Sequence, residues 1–248
     1  MDQVTVRVGM KVWDHDVEME LTVPAAPARL ESLLPVFQKV ADGLVDLAAE
    51  RAGAAGRVVS CKKGCGACCR QIVPISEVEA RRIGRLVEEL PGPRRTELRA
   101  RFARARERLA EAGLLPKLEN REGFAKDEIT SFGLAYFHLG IACPFLEEES
   151  CSIHADRPIS CREYLVTSPA ANCADPKLGT IDQVELPGKV WTALARAGSA
   201  GSAAPFIPWV PLVLAPDWAT AHPDASEPRP VEEVFQGVVA ELSGRKGG

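Results

Sequence analysis

The stretch CKKGCGACCR, residues 61–70, brings Cys61, Cys65, Cys68 and Cys69 into one short segment. Gly64 and Gly66 lie between them, and glycine lets a backbone turn tightly enough for several thiolates to converge. Cys65 and Cys68 have the C-x-x-C spacing with which two sulfurs reach one ion at ~2.3 Å each. The same spacing serves dithiol redox pairs, but here it does not open the helix of a βαβ unit. Cys68 and Cys69 are adjacent. In extended backbone their side chains would point to opposite sides, so the pair is expected to serve two metals or to contribute one ligand.

A second group follows, with Cys143 in CPFL, Cys151 in CSIH and Cys161 in RPISCREY. Residues 144–150, with Glu147, Glu148 and Glu149, read as an exposed hairpin or loop that returns Cys143 toward Cys151. Asp156 is the expected N-cap, and Pro158 belongs to the first turn of a helix that sets Cys161 near its N-terminus, where free N–H groups favour thiolate. Four thiolates around a divalent ion leave a net charge of about −2. Lys62, Lys63, Arg70, Arg157 and Arg162 are the neighbouring cations able to offset it. Seven such cysteines exceed the four that one zinc ion or one cubane cluster takes, so either a second site exists or some thiols lie outside the coordination shell. His154 has ligand spacing from Cys151. His138, in the apolar run 136–141, reads as a packed core histidine, and Cys173 as a buried core cysteine.

The chain of 248 residues is 46% hydrophobic, enough to bury a core, and its formal charge of −4 gives no overall attraction to nucleic acid or anionic membrane. No basic and then apolar leader opens the sequence, so a cytoplasmic protein is expected. There, eight cysteines point to metal or catalysis rather than to disulfides. The most apolar stretch, 206–221, is broken by Pro208, Pro211 and Pro216, and no membrane contact is expected. There is no P-loop, zincin helix or nucleophile elbow, and Gly64 and Gly66 do not make a dinucleotide loop.

Residues 4–8 and 17–23 alternate apolar and polar and read as a hairpin around Asp14, His15 and Asp16. Residues 28–52 repeat Leu30, Leu33, Leu34, Phe37, Val40, Leu44, Val45 and Ala48 at the helical period, with Pro35 at a start or kink. Ser76 and Glu79 form a capping box for a helix that residues 91–93 stop. The next helix carries Leu98, Phe102, Ala105, Leu109 and Ala112 on one stripe. Seven arginines, at 94, 95, 99, 101, 104, 106 and 108, stand against Glu97 and Glu107 for a local charge of +5. In an acidic protein this reads as solvated surface, and RNA binding is not expected. Residues 198–202 read as a flexible connection, and 230–242 as a closing helix burying Val231, Val234, Phe235, Val238 and Leu242. The expected fold is mainly α with a small β-hairpin component, helices surrounding a loop-rich cysteine metal core. One domain over 1–248 is expected, with the core at 57–175, an N-terminal hairpin and helix extension at 1–56 and a C-terminal extension at 176–248.

Together these residues resemble the YkgJ family of cysteine-cluster proteins, whose CxxCxxCC hallmark is followed by CPFL, C-x-I-Y and RP-x-x-CR. The resemblance spans roughly residues 60–165 and rests on Cys65, Gly66, Cys68, Cys69 and Arg70, then Cys143 to Leu146, Cys151 with Ile153, Arg157-Pro158 and Cys161-Arg162. Two positions depart from it. Three residues, not two, separate Cys61 from Cys65, and His154 stands where the family has tyrosine. The resemblance implies zinc or iron chelation, including as an iron–sulfur cluster, by Cys61, Cys65, Cys68, Cys69, Cys143, Cys151 and Cys161. Relatives that methylate flagellin lysines carry a similar cluster, so an iron–sulfur-dependent enzyme such as a protein lysine N-methyltransferase is the alternative. A third reading is an interaction module that holds an acidic partner on the arginine-rich helix. The partner expected is a metal ion, and no protein partner is identifiable.

Overall fold

The computed structural model describes residues 2–13, 15–120, 124, 128–198 and 207–242. The fold is mainly α with small antiparallel β pieces. Strands β1 (Gln3–Val12) and β2 (His15–Pro24) form the N-terminal hairpin in a register running from Gln3↔Pro24 to Val12↔His15. It is longer than the alternation suggested, and Asp14, placed in its turn by the sequence, lies outside the described residues. Met10, Val12, Leu21 and Val23 are buried.

These side chains share a core with α1 (Leu34–Ala54), which a 3-10 turn at Leu30–Leu33 leads in and which Pro35 starts rather than kinks. Pro tolerates the first helical turn because its missing N–H would have no partner there. Leu34, Phe37, Val40, Ala41, Leu44 and Ala48 bury one face. Phe37 stacks on Phe235 of α10 (Val231–Leu242) at 4.8 Å, and α8 (Val190–Gly198) completes this core. Leu242 is only half-buried against it. Of the flexible connection expected at 198–202, only Gly198 is described, as the last residue of α8.

The middle of the chain runs through β3 (Pro74–Ile75), α2 (Glu77–Glu89), α3 (Gly92–Glu111), α4 (Leu115–Glu119) and α5 (Glu128–His138). The capping box forms: Ser76 Oγ accepts from Glu79 N–H and the Glu79 carboxylate accepts from Ser76 N–H at 2.9 Å. Residues 91–93 end α2 and also begin α3. Leu98, Phe102, Ala105 and Leu109 are buried as the stripe requires, but Ala112 has reached the helix end and is exposed. His138, expected in the core, is exposed in the last turn of α5, because the buried face there belongs to Tyr136. Then come β4 (Leu146–Glu147), β5 (Ser150–Cys151), α6 (Ile159–Arg162) and α7 (Ala170–Ala174). After α8, β6 (Val210–Pro211) pairs antiparallel with β3, and α9 (Ala215–Ala221) packs on α2. Among the described residues no helix is long and apolar enough to cross a membrane.

Candidate metal centre

The first cysteine segment begins where Gly56 and Gly64, at φ 74° and 84°, turn the chain in a conformation that suits glycine. Cys65 N–H bonds to Lys62 O at 3.1 Å, closing the turn. Residues Ala67–Arg70 then form a 3-10 turn that carries both Cys68 and Cys69. The extended backbone assumed for this pair is therefore corrected. Successive residues of a 3-10 turn are about 120° apart, and the two side chains remain close enough to interact. Cys69 S–H donates to the Cys68 sulfur, which draws the Cys68 thiol down to about 7 and pushes that of Cys69 far up.

The second group docks directly on this turn, with Cys143 N–H donating to Cys69 O at 2.7 Å. The loop after Cys143 is the expected hairpin, pairing Leu146 with Cys151 and Glu147 with Ser150. Glu148 and Glu149 at its tip take φ of 48° and 57°, where glycine or asparagine is the easier residue. Arg70 holds the tip, donating to both Glu149 carboxylate oxygens at 2.5 and 3.0 Å and to Gly66 O at 3.0 Å. Gly66 is itself fixed by this contact. A Cβ there would stand 2.7 Å from both Glu149 Oε2 and Leu146 Cδ1.

Cys161 sits on α6, whose N-cap is Pro158, while the expected cap Asp156 ends a separate 3-10 turn at His154–Asp156. Glu79 Oε1, reaching from α2, accepts the Ile159 N–H at 2.7 Å. Arg162 bonds Asp42 of α1 at 2.8 and 3.1 Å and the carbonyls of Ala155 and Arg157 at 2.6 and 2.8 Å. Glu163 accepts the Val190 N–H at the start of α8 at 2.5 Å, and burial pushes its carboxyl up to about 8. The short helix is thus tied to three longer ones. Its position does not favour thiolate as the sequence suggested. Burial raises the Cys161 thiol well above its ordinary value, and the neighbouring sulfurs of Cys143 and Cys68 add to the effect.

Burial likewise pushes Cys143 up to about 12 and raises Cys61 and Cys151. Cys68 is the common neighbour, since its sulfur acts on Cys61, Cys69, Cys143, Cys151, Cys161 and Cys173. The seven sequence-predicted cysteines therefore gather around one turn. Among the described residues, no three His, Cys, Asp or Glu side chains already stand in the arrangement of a closed metal site.

Of the neighbouring cations, Arg70 and Arg162 are engaged by carboxylates. Arg157 instead opposes the rise at Cys61, Cys151 and Cys161 and adds to the lowering at Cys68, and its Nε–H is buried with no acceptor among the described residues. That unpartnered donor beside an all-sulfur donor set suits a centre that gains negative charge on ionisation. His154 is exposed, and Arg157 beside it holds its imidazole below the ordinary value.

Cys173, 4% exposed, is buried as expected, but it shares its small cluster with Ala67 and Val166, and Cys65 packs against them. Sequence spacing gave no sign of this neighbourhood. Residues 60–183 match the model of the CxxCxxCC family, described as "Putative zinc- or iron-chelating domain". The chain belongs to the CxxCxxCC family. The matched span runs past α7, so the CxxCxxCC domain takes in Cys173 as well as the seven cysteines of the motifs. No curated protein and no solved structure matches the chain.

Proposed function

We propose that this chain is a cytoplasmic metal-binding protein in which thiolates of Cys61, Cys65, Cys68, Cys69, Cys143, Cys151 and Cys161 hold zinc or iron and thereby order the segment that carries them. The observation that carries this reading is the convergence of three separate cysteine-bearing stretches on the Ala67–Arg70 turn, with Cys68 electrostatically coupled to cysteines of each. Soft thiolates select zinc and iron–sulfur iron over hard cations. Bound, the metal supplies a cross-link between loops whose apolar anchors lie apart, Phe145 in the core with Phe102 and Ile159 in the core with Phe37. Arg157 offsets part of the negative charge, and Cys143 N–H to Cys69 O sets the register of the two halves.

Because the buried thiols hold their protons tightly, ligation releases protons and apparent metal affinity rises with pH. Purification without oxygen from iron-replete cells, followed by metal and acid-labile sulfide analysis, tests the reading. Zinc or iron that is lost in Cys65→Ser and Cys161→Ser is the expected result. Metal-free protein with an unchanged melting temperature in both variants sinks it. A brown sample with labile sulfide identifies the centre as iron–sulfur, and colourless zinc protein from the same preparation rules against that form.

A further inference from the structure

We propose that a second copy of this chain docks along the outer edge of β1, joining the two N-terminal hairpins into one four-stranded antiparallel sheet, β2-β1-β1-β2, about a two-fold axis at Val8. The proposal is independent of the metal centre.

Among the described residues β1 pairs with β2 alone. Opposed residues of an antiparallel pair alternate between bonded and non-bonded. Ala25 N–H donates to Asp2 O, which extends the β1–β2 register and makes the even-numbered residues of β1 the bonded ones. Thr5, Arg7, Gly9 and Lys11 therefore turn their N–H and C=O groups away from β2. All four are exposed, and at Gly9, which has no side chain, the exposed surface is the backbone itself. A Cβ built on Gly9 meets nothing within 4 Å. Helix α1 packs against β2, where a Cβ on Gly43 would meet Met19 Sδ at 3.7 Å, and leaves the β1 edge clear. The 10 residues of β1 run without a proline or a bulge. An unblunted edge of that length is a ready template for another strand.

Charge selects the strand. The outward row of β2 is Asp16, Glu18, Glu20 and Thr22, so its extended self-pairings set acid opposite acid. On β1, a two-fold axis at Arg7 opposes Arg7 to itself, and an axis at Gly9 opposes Arg7 to Lys11. An axis at Val8 pairs residues 4–12 of each copy and leaves like charges only on diagonals. Arg7 then faces the partner's Gly9, and Lys11 the partner's Thr5. Gly9 is in register with Glu18, so the guanidinium crosses the missing side chain to the partner's Glu18 carboxylate. Glu18 is exposed and makes no ion pair among the described residues. Arg7 is held within its own copy only by Glu20, at 2.9 Å, with side-chain exposures of 75% and 62%. A pair that open to water contributes little and is readily shared. On the other face of the sheet, Val8 meets the partner's Val8, Val6 the partner's Met10, and Val4 the partner's Val12. Val4 is 44% exposed and Val6 and Val8 are half-buried, so the pairing covers apolar surface that one copy leaves open.

The test measures the mass of the reduced full-length chain by light scattering over a concentration series, the reductant excluding dimers joined through cysteine. Wild type is expected to rise from one chain mass to two and no further. Gly9→Pro removes an N–H that the hairpin does not use, and proline is tolerated on a strand edge. It is expected to stay folded by circular dichroism and monomeric. Arg7→Glu sets acid against the partner's Glu18 and is also expected to be monomeric, while Arg7→Glu combined with Glu18→Arg restores the dimer. Should Gly9→Pro disturb the hairpin, the two exposed charge positions still carry the test. A wild type that stays at one chain mass, a folded Gly9→Pro that still doubles, an Arg7→Glu variant that dimerises as wild type does, or a double variant that does not each overturn the proposal. Growth beyond two masses also overturns it, because β1 would then be pairing with the partner's β2 in an open-ended array.

Discussion

Phe37 and Cys68 each lie at the centre of a cluster, and the clusters are built differently. Around Phe37, buried side chains from the hairpin, α1, α8 and α10 interlock over long elements. Around Cys68 the apolar cluster is Ala67, Val166 and Cys173, and the elements are strands of two residues and helices of four and five. Helices that short do not persist on their own, because nucleation costs more than one turn returns. The first region is supplied by apolar burial. The second is held by its ties to neighbouring helices and by single apolar anchors, Phe145 and Ile159, each buried in a different core; under the proposed function, ligation adds to these.

Removing metal with a strong chelator is the harshest way to break this contrast. Backbone amides at 60–75 and 141–175 are expected to lose protection from hydrogen exchange, while α1, α8 and α10 retain theirs. In small zinc-finger peptides the metal contributes about 10–16 kcal/mol, so the loss should be large. Equal loss in both regions would show that they open as one unit. Phe37→Ala attacks the other side. Truncating a fully buried phenylalanine costs about 3–5 kcal/mol, read as a fall in melting temperature. At low temperature the metal count should hold, and its loss would dissolve the distinction.

Gly66→Ala is the next smaller step. The new methyl meets Glu149 Oε2 and Leu146 Cδ1 at 2.7 Å and Glu149 Cα at 3.2 Å, so the β4–β5 hairpin must shift. Overpacking of this kind costs about 1–3 kcal/mol. Gly53 of α1 has open space and serves as the control, since Gly→Ala within a helix gains about 0.5–1 kcal/mol. Faster zinc release from Gly66→Ala but not from Gly53→Ala is expected. Equal release from both would detach the hairpin from the centre.

The two regions also differed in how far the sequence could be read. Periodicity located α1 and its buried stripe because a long helix repeats its signal over many turns. The Ser76–Glu79 box was legible because both bonds are local. The cysteine region offered motifs and little local pattern. The 3-10 turn under Cys68 and Cys69, the cap of α6 by Pro158 and the exposure of His138 follow from what packs where. Cys173 was misleading for the same reason. Its burial was predictable from residue type, whereas its neighbour Cys65 lies more than a hundred residues away in sequence and is brought there by Ser60 and Val166.

The smallest effect is expected from the arginine-rich face of α3, and it separates two parts of that face. Arg99 pairs with Glu88, Arg106 with Glu119 and Asp217, and Arg104 is exposed. Solvent-exposed pairs contribute about 0–1 kcal/mol each, because water screens them and long side chains lose freedom in making them. The buried stripe of Leu98, Phe102, Ala105 and Leu109 holds the helix regardless. Arg99→Gln, Arg104→Gln and Arg106→Gln combined should therefore leave metal content and release rate unchanged and the melting temperature nearly so. Arg94 and Arg101 are different, since both bind Glu147 of β4, on the hairpin that carries Cys151. Replacing those two should quicken zinc release even though they sit on the same helix. If the first set of substitutions strips the metal while the second spares it, the helix acts on the centre by a route other than Glu147. Loss of binding to RNA or an acidic protein in the first set would show that the face is a docking surface after all.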